Sequence, residues 1–413
     1  MHEDLYGLPL TTTSEAAAGA YRLAVDRMLA GTGDPIEASA AAIGEDPAFA
    51  LAHSARAMAL LLGGQPKAAR DAAEHGLGLA ASATRRERQH AAIFLDVVSG
   101  RRDDGLAKIR EHAAEFPRDA FAVNPAAGVF GLIGFSGRRD REAEQVALLE
   151  PLAAHYGNDW WYQHVLGFAL LENDAAGRAL DLVASAIEQR PDSGHAAHTW
   201  VHALFEAGEF DPGAPDRAKA WLADWAPGYA SDGILYCHIW WHLALFHLLR
   251  GEFDAMWAVY DAHCLAGQSE SPAINVFTDG VAIAWRAMVA GAERPVARLQ
   301  ALRALGETSF PKPGIFVDVH RGACLAALGD HAALAEFRGE LEQALARDRL
   351  AAGDVVIKLV DGFDAFVRED WALAERCLSA AAPDVVRMGG SRAQRRLVTE
   401  TLAAARCQAG LAK

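Results

Sequence analysis

The stretch ALAHSARAMALLLGGQPKAARDAAEHGLGLA, residues 50–80, is the clearest guide to the fold of this 413-residue chain. On both sides of Gly63-Gly64 the apolar residues recur at helical spacing, so the sequence predicts two helices joined by a tight turn. Small residues, mainly alanine, occupy the positions at which the two helices would pack. The stretch therefore indicates a helical hairpin of the kind that builds repeat proteins.

Turns of this kind recur along the whole chain, 35 to 43 residues apart. They fall at Gly63-Gly64, Gly100, Gly137, Asn173, Gly208, Gly251, Gly291, Gly329 and near Asp370. This period is typical of stacked helical hairpins. We therefore expect an all-α fold, a right-handed α-solenoid of about eight to nine hairpins that resemble tetratricopeptide repeats. No linker divides the chain, so residues 1–413 are predicted to form one continuous superhelical domain, with residues 1–20 as a candidate extended N-terminal segment.

Composition and charge exclude several classes of protein. The net charge of −15 and the absence of a basic stripe argue against a nucleic-acid partner. The five cysteines are far apart and form no CxxC, which supports neither a disulfide framework nor a zinc knuckle. The first residues do not have the pattern of a signal peptide, and no apolar run is long enough for a membrane span. We expect a cytoplasmic protein without a membrane partner.

Two pairs of histidines stand out, His198 and His202 in HTWVH and His238 and His242 in HIWWH. A spacing of four residues places both imidazoles of a pair on one face of a helix. Two such helices side by side could close a metal or substrate site. Neither pair has the glutamate of HExxH, so a zinc protease is not indicated. The candidate metal ligands are these four histidines and His263, with zinc, manganese and iron all open. Metal-free acid–base chemistry by histidine–aspartate pairs is the other version of the site.

Further polar residues lie a similar number of residues before a turn, which places them at similar levels along the first helices of their hairpins. In a closing superhelix such positions converge on a ring around the inner wall. The candidate catalytic residues are His198, His242, Asp279, Asp318 and His320. The candidate substrate-binding residues are His164, Trp200, Trp241, Arg286, Ser391, Gln394 and Arg395. For Arg286 and Arg395 an interhelical salt bridge is the equal alternative. Lone histidines, such as His53, His75, His90 and His112, are expected at the surface or in a hydrogen-bonded core.

The order of these motifs resembles the tetratricopeptide repeat protein 38-like family. The resemblance rests on HTWVH, on CHIWWHLALFHLLRGEFDAMWAVYDAH, on the segment from Asp279 to Arg286, on DVH and on GGSRAQRR, and it is strongest from about residue 190 onward. It implies that the family signature falls on His198, His202, His238, Trp241, His242, Asp261, His263, Asp279, Arg286, Asp318, His320, Gly389, Gly390, Ser391, Gln394 and Arg395. The family pattern has an acidic residue where this chain has Arg396, which puts a local ion pair in question. The resemblance implies a repeat fold and assigns no reaction.

Two functions follow from this sequence. In the first, a concave pocket lined by His, Asp and Trp binds a small polar molecule, in one version with a divalent metal, and supports hydrolase- or lyase-type chemistry. The GGSRAQRR element, residues 389–396, could fold back and supply Ser391, Gln394 or Arg395. No nucleotide cofactor is expected, because the chain has no GxGxxG and no P-loop motif. In the second, the protein is a non-catalytic scaffold that holds a peptide or protein in its groove. Both functions are compatible with a homodimer.

Overall fold

The computed structural model describes residues 2–208, 211, 213–311 and 314–411. These residues are mostly helical, and a short antiparallel pair of strands, β1 (His2–Glu3) and β2 (Pro9–Leu10), precedes the first helix. Among the described residues no helix is both long and apolar enough to cross a bilayer. The chain divides into two compact units. Unit 1 comprises Met1–Ile133, Ala143–Tyr236 and Ser269–Pro272, and unit 2 comprises Gly134–Glu142, Cys237–Gln268 and Ala273–Lys413.

Unit 1 is an array of helical hairpins that curls back on itself. Its helices are α1 (Glu15–Ala30), α2 (Pro35–Glu45), α3 (Ala50–Leu62), α4 (Pro66–Ala80), α5 (Arg85–Val98), α6 (Arg102–Glu115), α7 (Ala120–Val123), most of α8 (Arg141–Leu149), α9 (Ala153–Tyr156), α10 (Trp160–Glu172), α11 (Ala176–Gln189), α12 (Gly194–Ala207) and α13 (Ala214–Trp225). Consecutive helices pack in pairs, and α1 also packs against α12. There the Arg190 guanidinium pairs with Asp26 at 2.7 Å, and the Ser193 hydroxyl donates to the carbonyl of Ala30.

Small residues and turn chemistry explain why these hairpins form. In the hairpin of α3 and α4, helix α3 stops at Gly63, and Pro66 starts α4, where its missing N–H costs nothing. The helices of a hairpin approach closely where a side chain is absent. A Cβ on Gly167 of α10 would lie 2.4 Å from Cγ2 of Val183 on α11. Alanine and glycine at such positions therefore set the close spacing of the paired helices.

The prediction of a hairpin turn at Gly137 is wrong. Helix α7 ends after one turn, a 3₁₀ turn follows over Asn124–Ala126, and the chain is irregular until α8. Pro125 has no N–H to continue a helix, and Gly128 and Gly137 both adopt left-handed φ angles of 75° and 72°. The density of glycine in GVFGLIGFSG, residues 128–137, thus prevents the helix that the period predicts.

Unit 2 is built in the same way and ends on a helix that packs back into it. Its helices are α14 (Tyr236–Leu249), whose first residue belongs to unit 1, α15 (Phe253–His263), α16 (Ala273–Val289), α17 (Val296–Ser309), α18 (Ile315–Leu328), α19 (His331–Ala346), α20 (Val355–Val367), α21 (Trp371–Ala381) and α22 (Arg392–Gln408). Helix α22 packs against α16, where Trp285 Nε1 donates to Thr401 Oγ1 at 2.8 Å. The predicted class, an all-α array of helical hairpins, is confirmed. One continuous superhelical domain over residues 1–413 stays a prediction.

Candidate functional site

The first histidine pair lies on the buried face of α12. Ser193 caps the helix by accepting from the amide of Ala196, so His198 and His202 fall one turn apart inside it. Their Nε2 atoms are 3.0 Å apart, and Phe168 of α10 packs against both rings. Two ring nitrogens at this distance either share one proton or direct both lone pairs at one electrophile. The two imidazoles can therefore share a proton in a hydrogen bond or act together as a two-nitrogen chelate.

A third imidazole, that of His164 on α10, belongs to the same unit. Its ring is buried and lies parallel to the rings of Trp160 and His195, at centroid distances of 5.9 and 6.0 Å. Burial, together with the neighbouring His195, holds the pKa of His164 well below its usual value, so the ring is neutral. Neither ring nitrogen has a hydrogen-bond partner among the described residues. A neutral imidazole always carries one donor and one acceptor, so His164 offers both to a polar ligand.

The second pair lies on α14 in unit 2. His238 and His242 each place a ring nitrogen within 4.8 Å of the other, and Trp241 lies parallel to the ring of His238 at 5.1 Å. His238 Nδ1 donates to Asp279 Oδ2 on α16 at 2.7 Å. This bond places the proton on Nδ1, and the lone pair is then on Nε2. A carboxylate behind an imidazole is the arrangement that orients histidine ligands of metals.

Helix α22 extends this chain of contacts. Gln394 Nε2 donates to Asp279 Oδ1 at 3.4 Å, and Gln394 Oε1 accepts from the amide of Ser391. Ser391 in turn caps α22 by accepting from the amide of Gln394. Within unit 2 the structure thus places Gln394 behind the His238–Asp279 pair. Ser391 shapes the start of the helix.

Asp318 and His320 lie on α18 and are both buried. The ring Nδ1 of His320 donates to the carbonyl of Phe316 at 2.7 Å, and Nε2 has no partner among the described residues. Burial lowers the pKa of His320 to about 4, so its ring is neutral. Burial also raises the pKa of Asp318 to about 7, although its Oδ2 accepts from the amide of Gly314. A carboxyl group that titrates near neutrality is suited to acid–base work.

Four other predicted residues make structural contacts. Arg286 forms a two-point ion pair with Glu400 at 2.8 and 2.7 Å, and Arg395 pairs with Glu142 at 2.6 Å, so both have the salt bridges that the sequence left open. Trp200 is half-buried and packs against the apolar cluster around Ile187. The ring of His263 lies flat on Trp240 at 3.6 Å, and among the described residues it does not group with His238 and His242 at ligand spacing.

The sequence did not point to one buried polar cluster in unit 1. Asp119 Oδ2 accepts from His90 Nδ1, His112 Nε2 and Arg86 Nη1, each at 3.1 Å, and Arg86 also pairs with Asp4 at 2.8 Å. Burial alone would raise the pKa of Asp119, but the two imidazoles and the guanidinium hold it well below its usual value. Arg86 and His90 share α5, but the other members come from α6, from the residue before α7 and from the N-terminal segment, so no single spacing motif marks the whole cluster. His90 and His112 are in a hydrogen-bonded core, as the sequence predicts.

Comparison with known proteins adds little to this geometry. No protein-family model matches the chain. Among solved structures it is similar to human IFIT1, described as a dimer with m7Gppp-AAAA, with 11% sequence identity and a TM-score of 0.48 over 99% of this chain and 94% of that chain. A likeness this weak does not bear on what the present chain binds. The fold and the histidine pairs define the protein as an all-α helical-repeat protein with buried imidazole clusters.

Proposed function

We propose that the paired histidines bind a divalent transition metal and that the neighbouring polar residues bind a small polar molecule. The observation that carries this proposal is the 3.0 Å between Nε2 of His198 and Nε2 of His202. Two imidazoles on one tetrahedral zinc ion, with Zn–N bonds of about 2.0–2.1 Å, have nitrogens about 3.3 Å apart. The pair needs only a small adjustment to chelate such an ion.

The second pair supports the same function from unit 2. The Asp279 carboxylate fixes the tautomer of His238, and the amide of Gln394 in turn holds that carboxylate. Partners of this kind are common behind metal ligands, because they orient the ring and increase its basicity. The proposal therefore assigns His238 and His242 as metal ligands in unit 2, as it assigns His198 and His202 in unit 1. An all-imidazole ligand set favours zinc or iron over manganese, which prefers oxygen ligands.

Hydrolase- or lyase-type chemistry on a small polar substrate is the catalytic form of this proposal. It is supported by Asp318, whose pKa of about 7 suits proton transfer at neutral pH, and by the neutral ring of His320. Membership of the tetratricopeptide repeat protein 38-like family belongs to the proposal too, on the motifs given above. So does the expectation of a cytoplasmic chain without nucleic-acid or membrane partners.

A non-catalytic peptide or protein scaffold is the alternative, because repeat proteins often serve in that way. The histidine geometry favours the metal. Both pairs are buried, and a peptide-binding surface has no need of imidazoles withdrawn from solvent. Binding to a peptide library by protein that contains no metal would support the scaffold.

The test is elemental analysis of protein purified without a histidine tag or chelator. We expect at least one zinc or iron per chain, lost or reduced in the double variants His198→Ala/His202→Ala and His238→Ala/His242→Ala. The number of ions that each change removes tells whether one ion or two are bound. The matched control is His53→Ala/His75→Ala, a pair with rings 4.7 Å apart on α3 and α4, which should keep the metal. Protein that carries no metal and binds no added zinc or cobalt at micromolar concentration would contradict the proposal.

A further inference from the structure

We propose that a second pocket, between helices α16, α17, α18 and α19 of unit 2, binds a free basic α-amino acid such as lysine. The pocket has a volume of about 180 Å³, and its lining includes Phe277, Arg303, Arg321, Glu336, Phe337 and Glu340. Sites for drug-sized ligands have volumes of about 300–1,000 Å³, so the occupant here must be small. None of these residues belongs to the histidine pairs, so this inference is independent of the metal.

Of the two guanidiniums in the pocket, the described residues hold one in ion pairs, and the charge of the other, that of Arg321, lowers the pKa of Asp318 on the same helix. Arg303 is occupied, because it pairs with Glu307 at 2.8 Å and with Asp330 at 2.7 Å. Arg321 forms no ion pair with the described part of the chain, and its guanidinium lies 4.9 Å from the ring centre of Phe337. Stacking on the ring holds the guanidinium plane in place while its N–H donors stay available. A guanidinium presented in this way is the side chain best suited to bind a carboxylate at two points.

Two carboxylates in the pocket have no cationic partner among the described residues. Glu336 and Glu340 are exposed, lie one turn apart on α19, and form no ion pair or hydrogen bond with the described residues. Like charges at this spacing repel each other along a helix. A cation placed between them, or one on each, removes that repulsion. Together with Arg321 they leave the pocket with one net negative charge, so a ligand with one carboxylate and two ammonium groups matches it.

Apolar side chains in the pocket can pack against the methylene stem of such a ligand. Phe277 and Phe337 are buried and line the pocket together with Leu325 and Ala333. A methylene stem can pack on these groups while its charged ends reach the polar rim, as long side chains do at protein surfaces. A simple diamine would leave Arg321 without a partner. A neutral amino acid would leave one of the glutamates without a partner.

The test is isothermal titration of the full chain with L-lysine, 1,5-diaminopentane and L-norleucine. We expect L-lysine to bind and the other two to bind at least about tenfold more weakly, since each lacks one charge-assisted contact. Arg321→Met should weaken lysine binding by a similar factor, and Ala333→Phe, which fills the pocket from a half-exposed position, should abolish it. Glu342→Gln is the matched control, because this carboxylate lies on α19 and pairs with Arg338 at 2.6 Å.

Three results would overturn the proposal. They are no binding of L-lysine at millimolar concentration, equal affinity of the Arg321→Met variant, and binding of 1,5-diaminopentane as tight as that of lysine. Circular dichroism spectra of the variants show whether they keep the helical fold. Because Arg321 and Ala333 are half-exposed, we expect both variants to fold. The metal content of these variants should equal that of the unchanged chain, which separates this test from that of the histidine pairs.

Discussion

Asp279 holds His238 through a single hydrogen bond, and this residue is where the metal proposal is most sharply tested. In Asp279→Asn the charge behind the imidazole is lost, so the ring is less basic and less firmly oriented. We expect the metal affinity to fall about 10–100-fold, as for other partners of metal-bound histidines. Competition with a chromophoric chelator measures it.

A matched control for Asp279 lies elsewhere in unit 2. Asp364 accepts from Nδ1 of the exposed His331 at 2.9 Å, so Asp364→Asn removes the same kind of contact away from the histidine pairs. Its metal affinity should be unchanged. An equal loss in both variants would show that the effect of Asp279→Asn is a general one on stability.

Asp119 is expected to matter for stability and for its dependence on pH. Asp119→Asn removes the charge that faces Arg86 and two imidazoles in a buried cluster, and losing one partner of a buried ion pair costs about 3–5 kcal/mol. Urea denaturation measures this loss. Asp71→Asn, which breaks an exposed pair with Lys67, should leave the free energy of unfolding nearly unchanged.

The pKa of Asp119 gives the sign of the pH effect. Because the folded pKa lies below the unfolded one, the stabilisation is fully present above the unfolded pKa of about 4 and is lost as the pH falls through the folded pKa. The unchanged chain should therefore lose stability below about pH 4. In Asp119→Asn this part of the acid dependence should be absent. A variant with the unchanged acid profile would show that other carboxyl groups cause it.

At the scale of the residue, the sequence predicts sites whose residues lie on one helix. It does not predict sites whose residues come together from several helices. The pairs at 198/202 and 238/242 follow from spacing alone, and the structure shows that all four side chains are buried. The Asp279–His238 contact joins residues 41 apart in sequence, and only the family resemblance and the turn offsets pointed to both. The cluster around Asp119 has neither signal, and the partners of this carboxylate come from two different helices, α5 and α6.

At the scale of the element, the start of α22 combines a left-handed glycine with tight packing. Gly390 has φ 71°, and a Cβ there would lie 2.4 Å from Cε2 of Phe316. Gly64, in the turn between α3 and α4, has φ 73° but nothing within 4 Å of the same position. We expect Gly64→Ala to cost about 1–2 kcal/mol from backbone strain alone, and Gly390→Ala to cost clearly more. Thermal unfolding of the two variants checks this order, and equal losses would contradict it.

Turns between helices were predictable because the local backbone conformation of a turn favours particular residues, above all glycine. Gly100, Gly251 and Gly329 adopt φ angles of 70–72°, a conformation that glycine reaches without strain. Gly137 has the same φ angle and fits the same period, yet no hairpin surrounds it. The repeat period predicts where turns fall, but it does not show whether the segment before a turn can be helical. Four glycines within residues 128–137 decide against it.

At the scale of the molecule, the repeat predicted the class of fold, and long-range contacts determine how each unit ends. In unit 1 the ion pair of Arg190 with Asp26 joins residues 164 apart, and in unit 2 Arg286 with Glu400 joins residues 114 apart. No local pattern marks either pair, because an exposed arginine has the same sequence signature as one that closes an array. The hairpins were therefore readable from the sequence, and the closure of each unit was not.

Metal binding should stabilise the whole molecule, which gives the last prediction. A ligand that binds only the folded chain raises the free energy of unfolding by about 2.7 kcal/mol at one hundred times its dissociation constant. We therefore expect zinc to raise the melting temperature and a chelator to lower it. Because imidazole ligands must be neutral to bind the ion, the gain should be smaller in acid than at neutral pH. The chain with all four paired histidines, His198, His202, His238 and His242, changed to alanine should melt at one temperature with and without zinc. A zinc-dependent shift that persists in that variant would assign the metal to another part of the chain.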